Sequence, residues 1–242
     1  MNTGRHKWAG MVAALLVALV FVLGVGTVLA HDNDGYSHDT TIGYTNTDWR
    51  RYLPNDRLLS EMSIPGTHDT MANDKAALLS IYSKTQTMSL KTQLESGIRV
   101  LDIRAHNQWD NKENKYYFQI KHGPENTGHV FDEDVMDVVN DFLTKHDGET
   151  VLIKMKMEDH GSVDPNASDY DPDAAAWVST YDAYMKAVGQ KVWTGTDTNP
   201  TLGDVRGKIV ILSNVAECVT LCGLKMKHIL ERRSGVMALR LP

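Results

Sequence analysis

The sequence predicts an α/β fold, and within that class a (β/α) barrel, from two observations. Short runs of β-type residues alternate along the chain with longer helical patterns, which is typical of βα units and a parallel sheet. Polar side chains follow the ends of predicted strands at His68, Arg104, His122 and Glu158, and a (β/α) barrel carries its active site at that end of its strands. A doubly wound sheet is the alternative, but no glycine-rich phosphate-binding loop follows the first strand.

Each predicted element rests on a local pattern. The first strand, residues 58–64, runs into Pro65, and a short helix over residues 88–95 is expected to stop at Gly97. The clearest helix spans residues 130–145, where apolar side chains recur at helical spacing. The remaining predicted strands are residues 98–104, 116–120, 151–157 and 208–212, and a second long helix is predicted over residues 174–192.

The predicted barrel is incomplete. A (β/α) barrel typically needs about 250 residues, whereas the patterns here give only about five strands before the chain changes character. Residues 214–242 form an atypical tail that carries a basic run and both cysteines, Cys218 and Cys222. Two cysteines so close together are not a disulfide framework, and we expect the chain to be shortened at its C-terminal end.

The N-terminal 30 residues have the pattern of a signal peptide: a basic start, an apolar run and small residues before Ala30. We therefore expect a secreted, extracellular protein, or a membrane-anchored one if the segment is not cleaved. Residues 31–57 are predicted to be a lead-in segment. Removal of residues 1–30, with Arg5 and Lys7, changes the net charge from −6 to −8, which argues against nucleic acid as a partner and against electrostatic capture by anionic membranes.

The polar residues after the strands can support acid–base chemistry. His68 and His122 could act as general base and general acid, since imidazole titrates near neutral pH. Asp69 and Asp102 could orient them, and Arg104 offers a planar cation suited to a phosphate oxygen. A single histidine of this kind is more often a surface or capping residue, but the combined pattern, without a nucleophilic Ser or Cys motif, favours phosphoryl transfer to a substrate hydroxyl.

Several ordered motifs resemble the X region of phosphatidylinositol-specific phospholipases C, over residues 58–213 in all. Residues 63–70 (SIPGTHDT) resemble the opening motif of that family, and residues 97–104 (GIRVLDIR) resemble the second. The remaining similar segments are residues 121–123 (KHG), the block from residue 142 to residue 158 that ends in Lys-Met-Glu, and residues 202–210 (LGDVRGKIV). The resemblance implies a distorted TIM-type barrel.

The resemblance also implies roles for the two histidines. His68 would be the general base that takes the proton of the inositol 2-hydroxyl, whose oxygen attacks phosphorus. The products would be diacylglycerol and a cyclic inositol phosphate. His122, supported by Asp69, would be the general acid for the leaving alkoxide. Phosphatidylinositol or a glycolipid anchor at a membrane surface is the implied substrate, and the protein is expected to be a monomer.

The remaining implied site residues are Arg104, Asp102 and Lys156. Arg104 would stabilise the phosphate charge, with Asp102 holding it in place, and Lys156 would contact the inositol ring. An Arg at this position, and Asp69 directly after His68, resemble the metal-independent bacterial branch rather than the calcium-dependent one. No cofactor is therefore expected.

The sequence departs from the family after Leu212, where the expected later strands and a late aspartate that would orient His68 are missing. A catalytically inactive exported protein that binds inositol phosphate or lipid head groups is therefore an alternative. A glycerophosphodiester phosphodiesterase is a second alternative, because residues 122–127 (HGPENT) are similar to a motif of that family.

Overall fold

A computed structural model describes residues 41–73, 75, 83–162, 164–187 and 191–213 of the chain. The predicted signal peptide (residues 1–30), the first part of the lead-in segment and the predicted tail (residues 214–242) lie outside the described residues. Among the described residues, no helix combines the length and the apolar character that a bilayer crossing requires.

The described chain is a mixed α/β structure built on one open sheet of six strands. The strands are β1 (Gly66–Thr67), β2 (Val100–Asp110), β3 (Lys115–His122), β4 (Glu125–Val130), β5 (Val151–Met157) and β6 (Ile209–Ser213). The α-helices are α1 (Leu90–Ser96), α2 (Asp137–Lys145), α3 (Pro172–Ala175), α4 (Trp177–Ala187) and α5 (Leu202–Val205). The sheet order is β4-β3-β2-β5-β6, and β1 pairs with the start of β2. The predicted incomplete α/β barrel-type fold is confirmed, since the sheet does not close within the described residues.

The sheet is only partly parallel, which corrects the prediction of successive βα units. Strands β1, β5 and β6 run parallel to their neighbours, but β2, β3 and β4 form an antiparallel meander. A short turn after Asp110, with Asn114 at φ 50°, joins β2 directly to β3 without a helix between them. Strand β4 was missed because its sequence, ENTGHV, lacks a β-type pattern.

The predicted strand over residues 58–64 is wrong. Leu59–Glu61 forms one 3₁₀ turn, and the strand is the two-residue β1 after Pro65. A proline has no N–H to give to a sheet, and the Pro65 carbonyl instead accepts hydrogen bonds from the N–H groups of Arg99 and Val100. Gly66 lies so close to Val100 that an added Cβ would stand 2.8 Å from the Val100 Cβ.

The helix predictions hold with adjusted ends. Helix α1 begins at the Ser89 cap and ends at Gly97, whose φ of 108° permits the reversal. The predicted helix over residues 130–145 is a π-helical turn (Asp132–Met136) that continues into α2. The predicted helix over residues 174–192 is divided into α3 and α4, and Val192 instead bridges to β6.

The two faces of the sheet have different partners, because side chains alternate along a strand. Leu101 and Ile103 of β2 lie on the face that packs against the helices, together with Phe142 and Trp177. The opposite face begins with a second buried cluster that includes Val100 and the side chains Leu59, Leu152, Leu202 and Val210. Further along β2 and β5 this second face becomes polar, and the candidate site lies there.

Candidate active site

Strands β2 and β5 place two pairs of charged residues side by side. Their parallel register sets Asp102 beside Lys154 and Arg104 beside Lys156. All four residues lie on the same face of the sheet as Val100 and Leu152, and they follow these two apolar residues along β2 and β5. These four charged residues form the floor of a polar site, next to the apolar cluster on the same face.

The loop after β1 brings His68 and Asp69 over this floor. Asp69 has a left-handed backbone conformation with φ 45°, which turns the chain sharply after the strand. Two hydrogen bonds hold the loop to β2: the Thr70 N–H donates to the Asp102 carbonyl, and the Asp102 N–H donates to the Thr70 hydroxyl. The Gln86 side-chain amide also donates to the His68 carbonyl.

His68 lies between two carboxylates. Its Nδ1 is 3.1 Å from Asp102 Oδ2, and its Nε2 is 3.2 Å from Asp69 Oδ2. An ionised carboxylate can only accept hydrogen bonds, so Asp102 holds a proton on Nδ1. Nε2 is the other ring nitrogen, and it faces Asp69. Asp102 is one of the two aspartates that could orient the histidines, and it is placed to orient His68, although the resemblance assigns it to Arg104. The His68 side chain is 42% exposed, so a substrate can reach it.

His122 follows β3 and faces the same aspartate. Its Nδ1 donates a hydrogen bond to the Ser83 carbonyl at 2.7 Å, and its Nε2 is 3.2 Å from Asp69 Oδ2. A carbonyl can only accept a hydrogen bond, so Nδ1 carries a proton, and Nε2 is the ring nitrogen that faces the site. Nε2 is therefore the atom that could give a proton to a leaving group, as a general acid does.

Asp69 is the centre of the cluster. Its Oδ2 lies between the two histidines, and its Oδ1 contacts Arg104 Nε. Burial raises the pKa of Asp69, while the charges of Arg104 and of the two imidazoles oppose that shift. One carboxylate therefore links both histidines to the guanidinium.

Arg104 is held by acidic groups on three sides. Besides Asp69, its Nη1 is 3.3 Å from Glu158 Oε1, and its Nη2 is 3.7 Å from Asp102 Oδ2. The contact with Asp102 is the longest of the three, so Asp69 rather than Asp102 is the main carboxylate on Arg104. Its side chain is largely buried, which fixes the direction of the planar cation.

Lys154 is a site residue that the sequence analysis missed, and Glu158, which it noted after a predicted strand, was given no role there. Glu158 contacts Lys156 and Arg104 and accepts a hydrogen bond from the Gly123 N–H. Burial alone would raise the pKa of Glu158, but these donors hold it below its usual value. Lys154 Nζ is 2.9 Å from Asp102 Oδ1. The alternation of Lys154, Lys156 and Glu158 along a predicted strand was the signal that could have identified both.

A metal ion was not expected at this site, and that expectation stays a prediction. One atom each of His68, Asp69 and Asp102 lie within 4.8 Å of one another, a spacing that could hold a metal ion. The same two carboxylates, however, already face the cationic side chains of Arg104 and Lys154. Calcium takes about six to eight oxygen ligands, and these compensated carboxylates fit it poorly.

Comparisons with known proteins define the class of protein. A family model described as "Phosphatidylinositol-specific phospholipase C, X domain" matches residues 62–214. The chain therefore belongs to this family, as its motifs predict.

Both bacterial and mammalian proteins are among the relatives. A protein of Listeria monocytogenes named 1-phosphatidylinositol phosphodiesterase is 35% identical over 175 residues, which are 70% of this chain and 49% of that protein. A crystal structure of a pentafluoro-Phe variant of phosphatidylinositol-specific phospholipase C from Staphylococcus aureus has a TM-score of 0.57 at 27% identity, covering 69% of this chain and 52% of that one. A structure of the same enzyme, described as a study of its membrane binding, has a TM-score of 0.55 at 26% identity, covering 70% and 53%. The chain spans about half the length of the curated relatives it matches.

Proposed function

We propose that this protein cleaves the phosphodiester of phosphatidylinositol-type lipids, giving diacylglycerol and a cyclic inositol phosphate. The observation that carries this proposal is the arrangement of His68 and His122 around one aspartate, beside the guanidinium of Arg104. The names of the Listeria and Staphylococcus relatives support the same substrate class.

The two histidines have complementary roles in this reaction. His68 Nε2 takes the proton of the inositol 2-hydroxyl, and the resulting oxygen attacks phosphorus. The bond from phosphorus to the diacylglycerol oxygen breaks, and His122 supplies the proton that this leaving oxygen needs. Each turnover moves one proton onto His68 and one off His122, so the pair is restored by exchange with solvent.

Arg104 stabilises the negative charge that builds up on the phosphate oxygens, which is the role a cation has in phosphoryl transfer. Its buried contacts with Asp69 and Glu158 orient it before substrate binds. Lys156 is 40% exposed at the edge of the site, where its ammonium can reach the hydroxyl groups of an inositol ring. No metal ion has a role in this proposal.

The proposal also covers where the protein works and which partners it has. We infer from residues 1–30 that the protein is exported, and from the lipid substrate that it works at a membrane surface. The acidic net charge makes nucleic acid an unfavourable partner. A monomer carries every side chain that this mechanism uses.

Residues 122–127 give no support to a glycerophosphodiester phosphodiesterase. Half of that segment, residues 125–127, lies on β4, where Thr127 is buried and its hydroxyl donates to the Ile120 carbonyl. Asn126 accepts a hydrogen bond from the Gly128 N–H. These residues fix a β-turn and a strand, and they do not form a site of their own.

The test is turnover of phosphatidylinositol vesicles by the full chain, followed by ³¹P NMR of the cyclic product. We expect activity that survives a strong chelator and falls by at least about 10³-fold in His68→Ala and in His122→Ala. His146→Ala is the matched control, because His146 pairs with Asp48 at the end of α2 and belongs to neither catalytic pair. A folded wild-type protein that binds the vesicles without turnover would instead support the inactive lipid-binding alternative. Loss of activity with the chelator would contradict the metal-independent mechanism.

A further inference from the structure

Lys154 is a buried cation that touches the site without facing the open part of it. Its side chain is 16% exposed, and its Nζ lies 2.9 Å from Oδ1 of Asp102, whose own side chain is fully buried. The parallel register of β2 and β5 sets these two residues directly beside each other. The ion pair is therefore built into the sheet.

The other oxygen of Asp102 serves His68. Asp102 Oδ2 is 3.1 Å from His68 Nδ1 and accepts a hydrogen bond from the Asp69 N–H. A single carboxylate thus connects Lys154 on one side with His68 on the other. The pKa of Asp102 would be raised by burial, but Lys154 above all holds it below its usual value, and Arg104 adds to this effect.

We infer that Lys154 is a positioning residue that sets the proton affinity of His68 through Asp102. This inference rests on the proposed function, in which His68 is the general base. A fully charged carboxylate beside an imidazole favours the imidazolium form, which cannot act as a base. The ammonium of Lys154 compensates part of the Asp102 charge, so Asp102 orients the ring while favouring its imidazolium form less strongly. The Asp69 carboxylate, 3.2 Å from His68 Nε2, acts in the same direction as Asp102 and is unchanged in the Lys154 variants.

Substitution of Lys154 by methionine removes the charge and keeps most of the side-chain volume. Asp102 keeps His68 and the Asp69 amide as donors, so it stays ionised and acts on His68 with its full charge. We expect the acid limb of the pH profile of kcat/KM to move up by about one pH unit, which is about a tenfold loss at pH 6 and little loss at pH 8.5. KM should stay within about twofold, because the Lys154 ammonium is paired with Asp102 and its side chain is largely buried.

Two further variants separate this role from a structural one. Lys154→Arg keeps the charge and should restore the acid limb to its wild-type position. Lys121→Met is the matched control, since Lys121 is also a largely buried lysine but its ion pair is with Asp159. It should leave the acid limb in place. If Lys154→Met does not fold, Lys154→Gln, which can still donate to Asp102, carries the same expectation.

A second readout does not depend on turnover. The ¹⁵N chemical shifts of the His68 ring, assigned by comparison with His68→Gln, report which ring nitrogens carry protons. At pH 7 we expect a larger doubly protonated fraction in Lys154→Met than in wild type or Lys154→Arg. This measurement stands even if wild-type protein fails to cleave phosphatidylinositol, so failure of the proposed function and failure of the inference give different results.

Three outcomes would overturn the inference. A loss of kcat/KM that is equal at every pH would make Lys154 a purely structural residue. A rise in KM with an unchanged acid limb would make it a substrate contact. Unchanged His68 ring shifts in folded Lys154→Met would show that no coupling passes through Asp102.

Discussion

Replacement of Glu149 by glutamine should strongly destabilise the protein without touching the active site. Glu149 and Arg99 are both fully buried, and Arg99 Nε lies 2.8 Å from Glu149 Oε2. The other oxygen of Glu149 accepts a hydrogen bond from the N–H of Arg50, which is itself fully buried. Both Glu149 and Arg99 belong to motifs that are similar to the phospholipase family, so this substitution tests whether those motif residues are structural.

The size of the effect follows from the contacts. The Arg99 guanidinium keeps its backbone carbonyl acceptors, including those of Leu94 and Thr47, but it loses the carboxylate in its ion pair. Removal of one partner from a buried ion pair costs about 3–5 kcal/mol. Burial lowers the pKa of Arg50 to about 9 against the opposing charge of Glu149, so a second arginine loses compensation as well. We therefore expect the upper half of that range.

Urea unfolding and thermal melting measure this loss. For a domain of this size, about 3–5 kcal/mol corresponds to a decrease in Tm of about 6–20 °C. Glu133→Gln is the matched control, since Glu133 is exposed, and it should change the free energy of unfolding by less than about 0.5 kcal/mol. A Glu149→Gln protein within about 1 kcal/mol of wild type would refute the reasoning, because the buried charges would then have another source of compensation.

Two further predictions concern the β1 contact and the loop after β5. Gly66→Ala should lower the free energy of unfolding by about 1–3 kcal/mol and lower kcat, because the new Cβ would stand 2.8 Å from the Val100 Cβ and displace β1, which leads into His68. Unfolding and turnover measurements check this prediction. Unchanged values for both would contradict it. Burial would raise the pKa of Asp171, but hydrogen bonds led by that from His160 hold it at about 2, below the usual 3.8. The stabilising contribution of the Asp171 carboxylate is therefore present above about pH 4 and lost as the pH falls towards 2. The free energy of unfolding should fall less steeply over that range in Asp171→Asn than in wild type. Equal slopes in urea unfolding would argue against the ion pair between Asp171 and His160.

Local patterns predicted most of the elements and missed those that depend on distant partners. The strand over residues 151–157 and the helix that ends at Gly97 have clear signals in their own residues. The short strand β1 exists because Pro65 and Gly66 approach β2, and the antiparallel strand β4 exists because β3 offers it an edge. The residues of β1 and β4 do not indicate these partners, since strand pairing depends on residues that are distant in the sequence.

By itself, the sequence determined the family to which this protein belongs. The motifs that contain His68, Arg104 and His122 predicted the family, and the structure brings these side chains together around Asp69. Only the tertiary structure decided how the charges are shared: Asp102 orients His68, and Lys154 of a different strand compensates Asp102. The physical reason is that motifs fix which residue types are present, whereas the register between β2 and β5 fixes which charges lie directly beside one another.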